Sequence, residues 1–370
     1  MSALLTAAVI GCGRMGAFTS ASMRAFGPAC LLPGAHTEAV AMADGVTLAA
    51  LCDTDLQNLE RAGARYEVDR LYADPAALLS DEAPDLITLA TRTPGRADLI
   101  ERCFYAGARA LHVEKPLCQT VAECKRLEQL FECSDLFITL GAIRRHLAVY
   151  RRAMAMALSD EYGGLFAAHA EFGARTLYWS HPHSVDLILF AAAGVRVEAV
   201  QARLGAVERT GPRIANDPIV LDAAIWFEGG FSGHITRMPG TDWRLACETA
   251  QIAVVANGSA IWRSGRAKPA PDAPPPGPEG TSPYHQPERI DFEPPIGPEG
   301  ALAPIRQLVA CLQGHREAIA ANAAIKRDII TGQKILFAMV QSHLEGGRSV
   351  TLDEIDPAMV IEGQTNGVPA

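Results

Sequence analysis

The chain has 370 residues, 49% of them hydrophobic and 20% charged, with a formal charge of −9 at neutral pH. That length exceeds what one core usually fills, so two domains are expected, and the acidic balance excludes a nucleic-acid groove or an anionic membrane surface as the main partner, because either needs a basic field. Nine cysteines with no CxxC pair cannot all pair within one chain and point to a reducing, cytoplasmic setting, and no apolar run approaches the roughly 18 to 20 residues of a membrane-spanning helix.

The first apolar run, "LTAAVI" at 5–10, lacks the basic lead and small-residue cleavage site of a leader peptide and reads as a strand. It stops at "GCGRMG", and "AFTSASMRAF" after it has helical composition. Gly11, Gly13 and Gly16 fit GxGxxG: one glycine for the turn, one for close approach of a pyrophosphate, one for helix–strand packing. Arg14 and Met15 lie between them, and the following helix would offer free N–H groups to phosphate. A second strand, "VTLAALCD" at 46–53, ends in Asp53, the place for a carboxylate that bonds the adenosine ribose. The gap exceeds the usual spacing of about 20 residues, so "GPACLLPGAHTEAVAMADG" is expected to be an insertion after the first helix. Thr54 follows with no arginine or lysine beside it, which favours NAD over NADP.

Strands "DLITLAT", "ALHVEKP" and "LFITLGA" then alternate with helices "RADLIERCFYAG" and "TVAECKRLEQLFECS", a βαβ series and hence a parallel doubly wound sheet. Gly11, Asp53, Thr91 with Arg92, and Glu114 with Lys115 all stand at carboxyl ends of strands, where such sheets bind ligands. In "YWSHPHSVDLILFAAAG", Pro182 suits a first helical turn, Ser180 or His181 a cap and Gly194 the C-terminus, which puts His183 and Asp186 on one face. His181 and His183 have no third metal ligand at recognisable spacing, so no metal is expected. "AAHAEF", "VEAVQARLGAV", "IVLDAAIWFE", "GFSGHITRM", "ETAQIAVVA" and "GSAIWRSG" read as strands. A proline-rich loop is expected over about 268–304, with "RIDFE" as a short strand inside it.

The ordered set "VIGCGRMG", "ALCDTD", "LITLATRTPGRADLI", "HVEKPL", "RRHLAVYRRA", "HPHSVDLILFAAAG" and the late "GHREAIAANAAIKRDIITGQKILF" resembles the Gfo/Idh/MocA oxidoreductases over most of the chain, EKP being its most specific member. The resemblance implies a Rossmann NAD-binding domain over 1–141 and an α+β substrate and oligomerisation domain over 142–370, built on a large open, mainly antiparallel sheet. It implies hydride transfer between nicotinamide and a secondary alcohol or ketone of a sugar-like or cyclitol-like substrate, by a homo-oligomer, dimer or tetramer, that joins through the sheet. Lys115 and His183 would handle the proton and position the reacting oxygen, with Arg145, Trp179 and His181 also at the substrate.

Two departures stand out. Trp179 occupies a position where many family members have aspartate, so His181 is one substitute and Lys115 with His183 alone is another. Arg92 and Arg96 replace a proline and a histidine, and with Arg144 and Arg145 they suggest an anionic substrate, since guanidinium forks suit carboxylates and phosphates. A lyase or glycosidase that retains its NAD, and a regulator that binds NAD without turnover, are the alternatives.

Overall fold

The computed structural model describes residues 4–266, 284–292 and 297–364. Six strands, β1 (Leu5–Ile10), β2 (Val46–Cys52), β3 (Leu71–Tyr72), β4 (Leu86–Leu89), β5 (Ala110–Val113) and β6 (Phe137–Leu140), form one sheet in the order β3-β2-β1-β4-β5-β6. All of its pairings are parallel. The order reverses between β1 and β4, and in such a sheet the crevice outside the strand ends at that point is the ligand site. β4 and β5 are buried along their whole length, as continuous apolar runs covered by helices on both faces should be.

The first helix departs from expectation. Residues 13–17 make one turn, with the Ala17 N–H donating to the Gly13 carbonyl at 2.8 Å, and the chain then leaves. It carries a short exposed helix, α1 (Ala21–Phe26), and returns at α2 (His36–Ala41). There the His36 and Thr37 N–H groups donate to the carbonyls of Met15 and Gly16 at 2.9 and 2.7 Å. The insertion therefore interrupts the first helix instead of following it, and without it Asp53 would follow Gly16 at close to the motif's usual spacing of about 20. Thr19 ties the detour's base: its hydroxyl accepts from the Gly34 and Ala35 N–H groups and donates to Glu38 at 2.9 Å. The remaining helices here are α3 (Leu56–Tyr66), α4 (Pro75–Glu82), α5 (Arg96–Tyr105) and α6 (Val121–Glu132). Asp55 and Asp74 cap α3 and α4, and a Thr120–Glu123 capping box starts α6.

The second sheet contains β7 (Leu165–Glu171), β8 (Val197–Leu204), β11 (Val220–Phe227), β12 (Ser232–Thr236), β13 (Asp242–Cys247), β14 (Ala250–Val255), β15 (Ala260–Arg266) and β16 (Tyr284–Ile290). Its order is β16-β15-β14-β13-β7-β12-β11-β8, antiparallel except for the β7–β12 pair. β9 (Arg209–Thr210), β10 (Arg213–Asn216) and β17 (Val360–Gln364) make a small third sheet. The α/β expectation with a mainly antiparallel second sheet holds, although β13 was not foreseen and the strand expected at "RIDFE" lies earlier. Of the expected proline-rich loop, residues 268–283 and 293–296 lie outside the described residues.

Helices α7 (Ala148–Ala157) and α8 (Leu177–Ala192) pack on the second sheet. α9 (Leu302–Leu312) returns to the first sheet, where Leu302, Ile305 and Leu308 share a core with Val9 and Leu51. α10 (Arg316–Leu344) touches β6, α6, α8 and β8, and so spans both halves. Alternating burial along β11 and β13 leaves the sheet's other face half-exposed, with His169 and His234 stacked at 4.6 Å between ring centroids near its centre.

Candidate active site

The glycine turn has the space a dinucleotide needs. Gly11 has φ +100°, and a methyl group there would lie 2.8 Å from the Ala90 backbone. At Gly16 it would lie 1.8 Å from the Gly11 carbonyl oxygen, whereas at Gly13 it would meet nothing within 4 Å. Two glycines thus let the chain fold on itself and the middle one leaves its outer side open, as a pyrophosphate requires. Asp53 follows β2, its carboxylate accepting from the Cys12 N–H at 2.5 Å and the Asp55 N–H at 2.9 Å, so the turn and the acid form one unit. Thr54 and Arg92 are exposed, Met15 and Thr91 half-buried, and Arg14 points at the indole of Trp179, 5.4 Å from its ring centroid. These residues fit a nicotinamide dinucleotide.

Glu114 and Lys115 follow β5. Glu114 is buried, and burial alone would push its pKa up; the hydrogen bond from His36 at 3.3 Å and the charges of Lys115 and Arg96 win and hold it well below the usual carboxylate range. His36, the first residue of the resumed helix, escaped the sequence reading because the detour hid its register with the glycine motif. Arg96 is 2% exposed and donates to the carbonyls of Glu114 at 2.7 Å, Pro116 and Thr91, while burial pushes it down to about 10. It therefore fixes the backbone on both sides of Lys115, which corrects its expected role towards an anionic substrate. Lys115 donates from Nζ to the Trp179 carbonyl at 2.7 Å and stands 4.0 Å from the centroid of that residue's indole. Burial lowers its pKa to about 8, with Glu114 opposing.

The opposing wall is α8, which begins at Leu177, so Pro182 lies inside the helix and neither Ser180 nor His181 caps it. The cap comes from a distant acid: Asp217 accepts from the Tyr178 N–H at 2.7 Å and the Trp179 N–H at 3.0 Å. No local signal marked Asp217 in the sequence. His181 is fully buried against Ser184 at 3.1 Å, and burial pushes it down to about 4, so both roles expected of it, cap and substrate contact, are corrected. His183 is half-buried; burial first, then the cations Arg144 and Lys115, keep it neutral, and its Nδ1 has no partner among the described residues. Asp186 pairs with Arg145 rather than with His183. Arg145 spends its donors on Asp186 at 2.9 Å and Asp328 at 2.7 Å, which withdraws it from the substrate, and Arg144 is bonded to Asn257. Gln333 on α10 joins both walls, accepting from the Leu117 N–H at 3.0 Å and donating to the Tyr178 hydroxyl at 3.0 Å.

Residues 5–141 match the model of an oxidoreductase family with an NAD-binding Rossmann fold, Gfo/Idh/MocA. This segment is similar to the nucleotide-binding domain of that family. D-apiose dehydrogenase of Paraburkholderia graminis is 37% identical over 92 residues, covering 25% of this chain and 24% of that protein. The chain thus spans about a quarter of the length of the curated relatives it matches first. A likeness to solved oxidoreductases extends past residue 141 at the level of fold. An aldose-aldose oxidoreductase from Caulobacter crescentus superposes with TM-score 0.69 at 16% identity, over 94% of this chain and 99% of that one. The WlbA dehydrogenase from Bordetella pertussis does so with TM-score 0.65 at 18% identity, over 92% and 97%. All nine cysteines are unpaired, and among the described residues no helix is long and apolar enough to cross a membrane.

Proposed function

We propose that the chain is a dehydrogenase that oxidises a CH–OH group of a carbohydrate-like substrate, or reduces the matching ketone, with NAD preferred over NADP. The observation that carries this is Lys115, an ammonium with its pKa lowered to about 8, held at the end of β5 beside the neutral His183 and in the same crevice as an open glycine turn. Gly13, Asp53 and Thr91 would hold the dinucleotide, which supplies the hydride acceptor when bound.

The chain's own residues manage the proton. An alcohol that loses hydride from carbon must also lose its hydroxyl proton, and a lysine tuned near 8 is a competent acceptor at slightly alkaline pH and, protonated, a donor for the reverse direction. Neutral His183 orients the oxygen. The Asp53 carboxylate would repel a 2′-phosphate, which supports NAD. The name of the D-apiose relative supports a sugar, and a neutral one is favoured because Arg96, Arg144 and Arg145 are bonded within the protein. We further propose the division at 141/142, a homo-oligomer joined through the open face of the second sheet, and a reducing, cytoplasmic setting for the unpaired cysteines.

The test is NADH formation over a panel of neutral, acidic and phosphorylated sugars and cyclitols. Turnover of a neutral member is expected, with kcat/KM rising through pH about 8 as Lys115 loses its proton. Lys115→Met should abolish turnover and keep cofactor affinity within about threefold. NAD binding without turnover of any member would overturn the dehydrogenase reading.

A further inference from the structure

Lys115 is a half-buried cation whose ammonium hydrogen-bonds a main-chain carbonyl, that of Trp179 at 2.7 Å, and not a carboxylate. The indole of the same residue faces the same nitrogen at 4.0 Å, so one residue of the opposing half holds the ammonium with both its peptide and its ring. That residue is itself clamped. Asp217, 8% exposed, takes the N–H of Trp179 at 3.0 Å and of Tyr178 at 2.7 Å. The clamp fixes the first turn of α8 and with it the direction in which the Trp179 carbonyl and ring project, while the N–H conjugated to that carbonyl, that of Ser180, donates within the helix to the Thr176 carbonyl at 3.1 Å.

We propose that Trp179, clamped by Asp217, is the positioning residue for Lys115: the carboxylate fixes the helix turn, and the carbonyl and indole of that turn aim the ammonium. This rests on the reading of Lys115 as the proton-transfer group. The arrangement aims the ammonium without neutralising it: a carboxylate in contact would push the lysine's pKa up, whereas a carbonyl and a ring face support the charge only modestly. Burial can then bring the pKa down into the working range, with Asp217 adding a weak opposing attraction from behind the peptide.

The test reads Lys115 directly and needs no substrate. Reductive methylation of the folded chain across about pH 6 to 10, quantified peptide by peptide, gives the half-labelling pH of Lys115, with the remaining lysines as internal references. Trp179→Leu keeps apolar cover over the lysine but removes the π face, so the half-labelling pH should fall by about half a unit to one unit. Trp179→Phe should restore most of that shift, and the near-isosteric Asp217→Asn should move it in the same direction as Leu. Once a turnover substrate is in hand, all three should lower kcat more than they raise KM. Half-labelling at the parental pH in both Trp179→Leu and Asp217→Asn, with NAD binding intact, would overturn the proposal. Shifted labelling in a protein that turns over no substrate would leave the positioning in place and remove the dehydrogenase reading instead.

Discussion

Single atoms decide most of this site. The contrast between Gly13 and Gly16 makes that measurable, because the first faces open space and the second faces the Gly11 carbonyl oxygen. Gly13→Ala should leave the melting temperature within about 2 °C and weaken NAD binding about tenfold or more, since the added methyl stands where the pyrophosphate would approach. Gly16→Ala should cost several kcal/mol, on the order of the largest single-residue losses, because backbone must move to admit it. Calorimetric titration and thermal melts separate the two. The glycines and Lys115 were legible in the sequence because each motif is written in neighbouring letters. His36 and Asp217 were not, since their partners Glu114 and Trp179 lie far along the chain and only the tertiary fold brings them together.

At the scale of elements, α8 shows how a correct element can carry wrong assignments. The sequence placed a helix here and put a cap and a first-turn proline in its middle, because Ser, His and Pro are locally good start signals. The structure starts the helix earlier, where an acid from another segment supplies the cap. The same helix presents Asp186 to Arg145, and α10 adds Asp328 to that buried cluster. Truncating one partner of such a cluster leaves charge buried without compensation. Arg145→Ala should therefore lose about 3 to 5 kcal/mol in denaturant unfolding, against a raised KM and near-native stability if the arginine served the substrate.

For the whole molecule, alternation of strands with helices was enough to mark the parallel half, whereas the mainly antiparallel order of the other half was implied by the family resemblance and only its strands by their apolar runs. What it did not disclose is that α9 folds back onto the first sheet and α10 spans both halves, because helical periodicity marks a buried stripe without naming what buries it. The open face of the second sheet, with Ala224 opposite His234 near its centre, is the expected contact between copies. Sedimentation should show a dimer or tetramer, and Ala224→Arg should yield a monomer that still binds NAD; a parental chain that sediments as a monomer would remove the proposed interface. The interrupted first helix has its own consequence. Both roots of the detour sit in the glycine turn, while its middle is bonded to the later part of the chain, through the Gly300 N–H to the Cys30 carbonyl and the Ala301 N–H to the Pro33 carbonyl, each at 2.8 Å. It is a tether looped through the nucleotide site and made fast beside α9, so any shift of the detour draws on Gly16 and His36 together, and through His36 on the carboxylate beside Lys115.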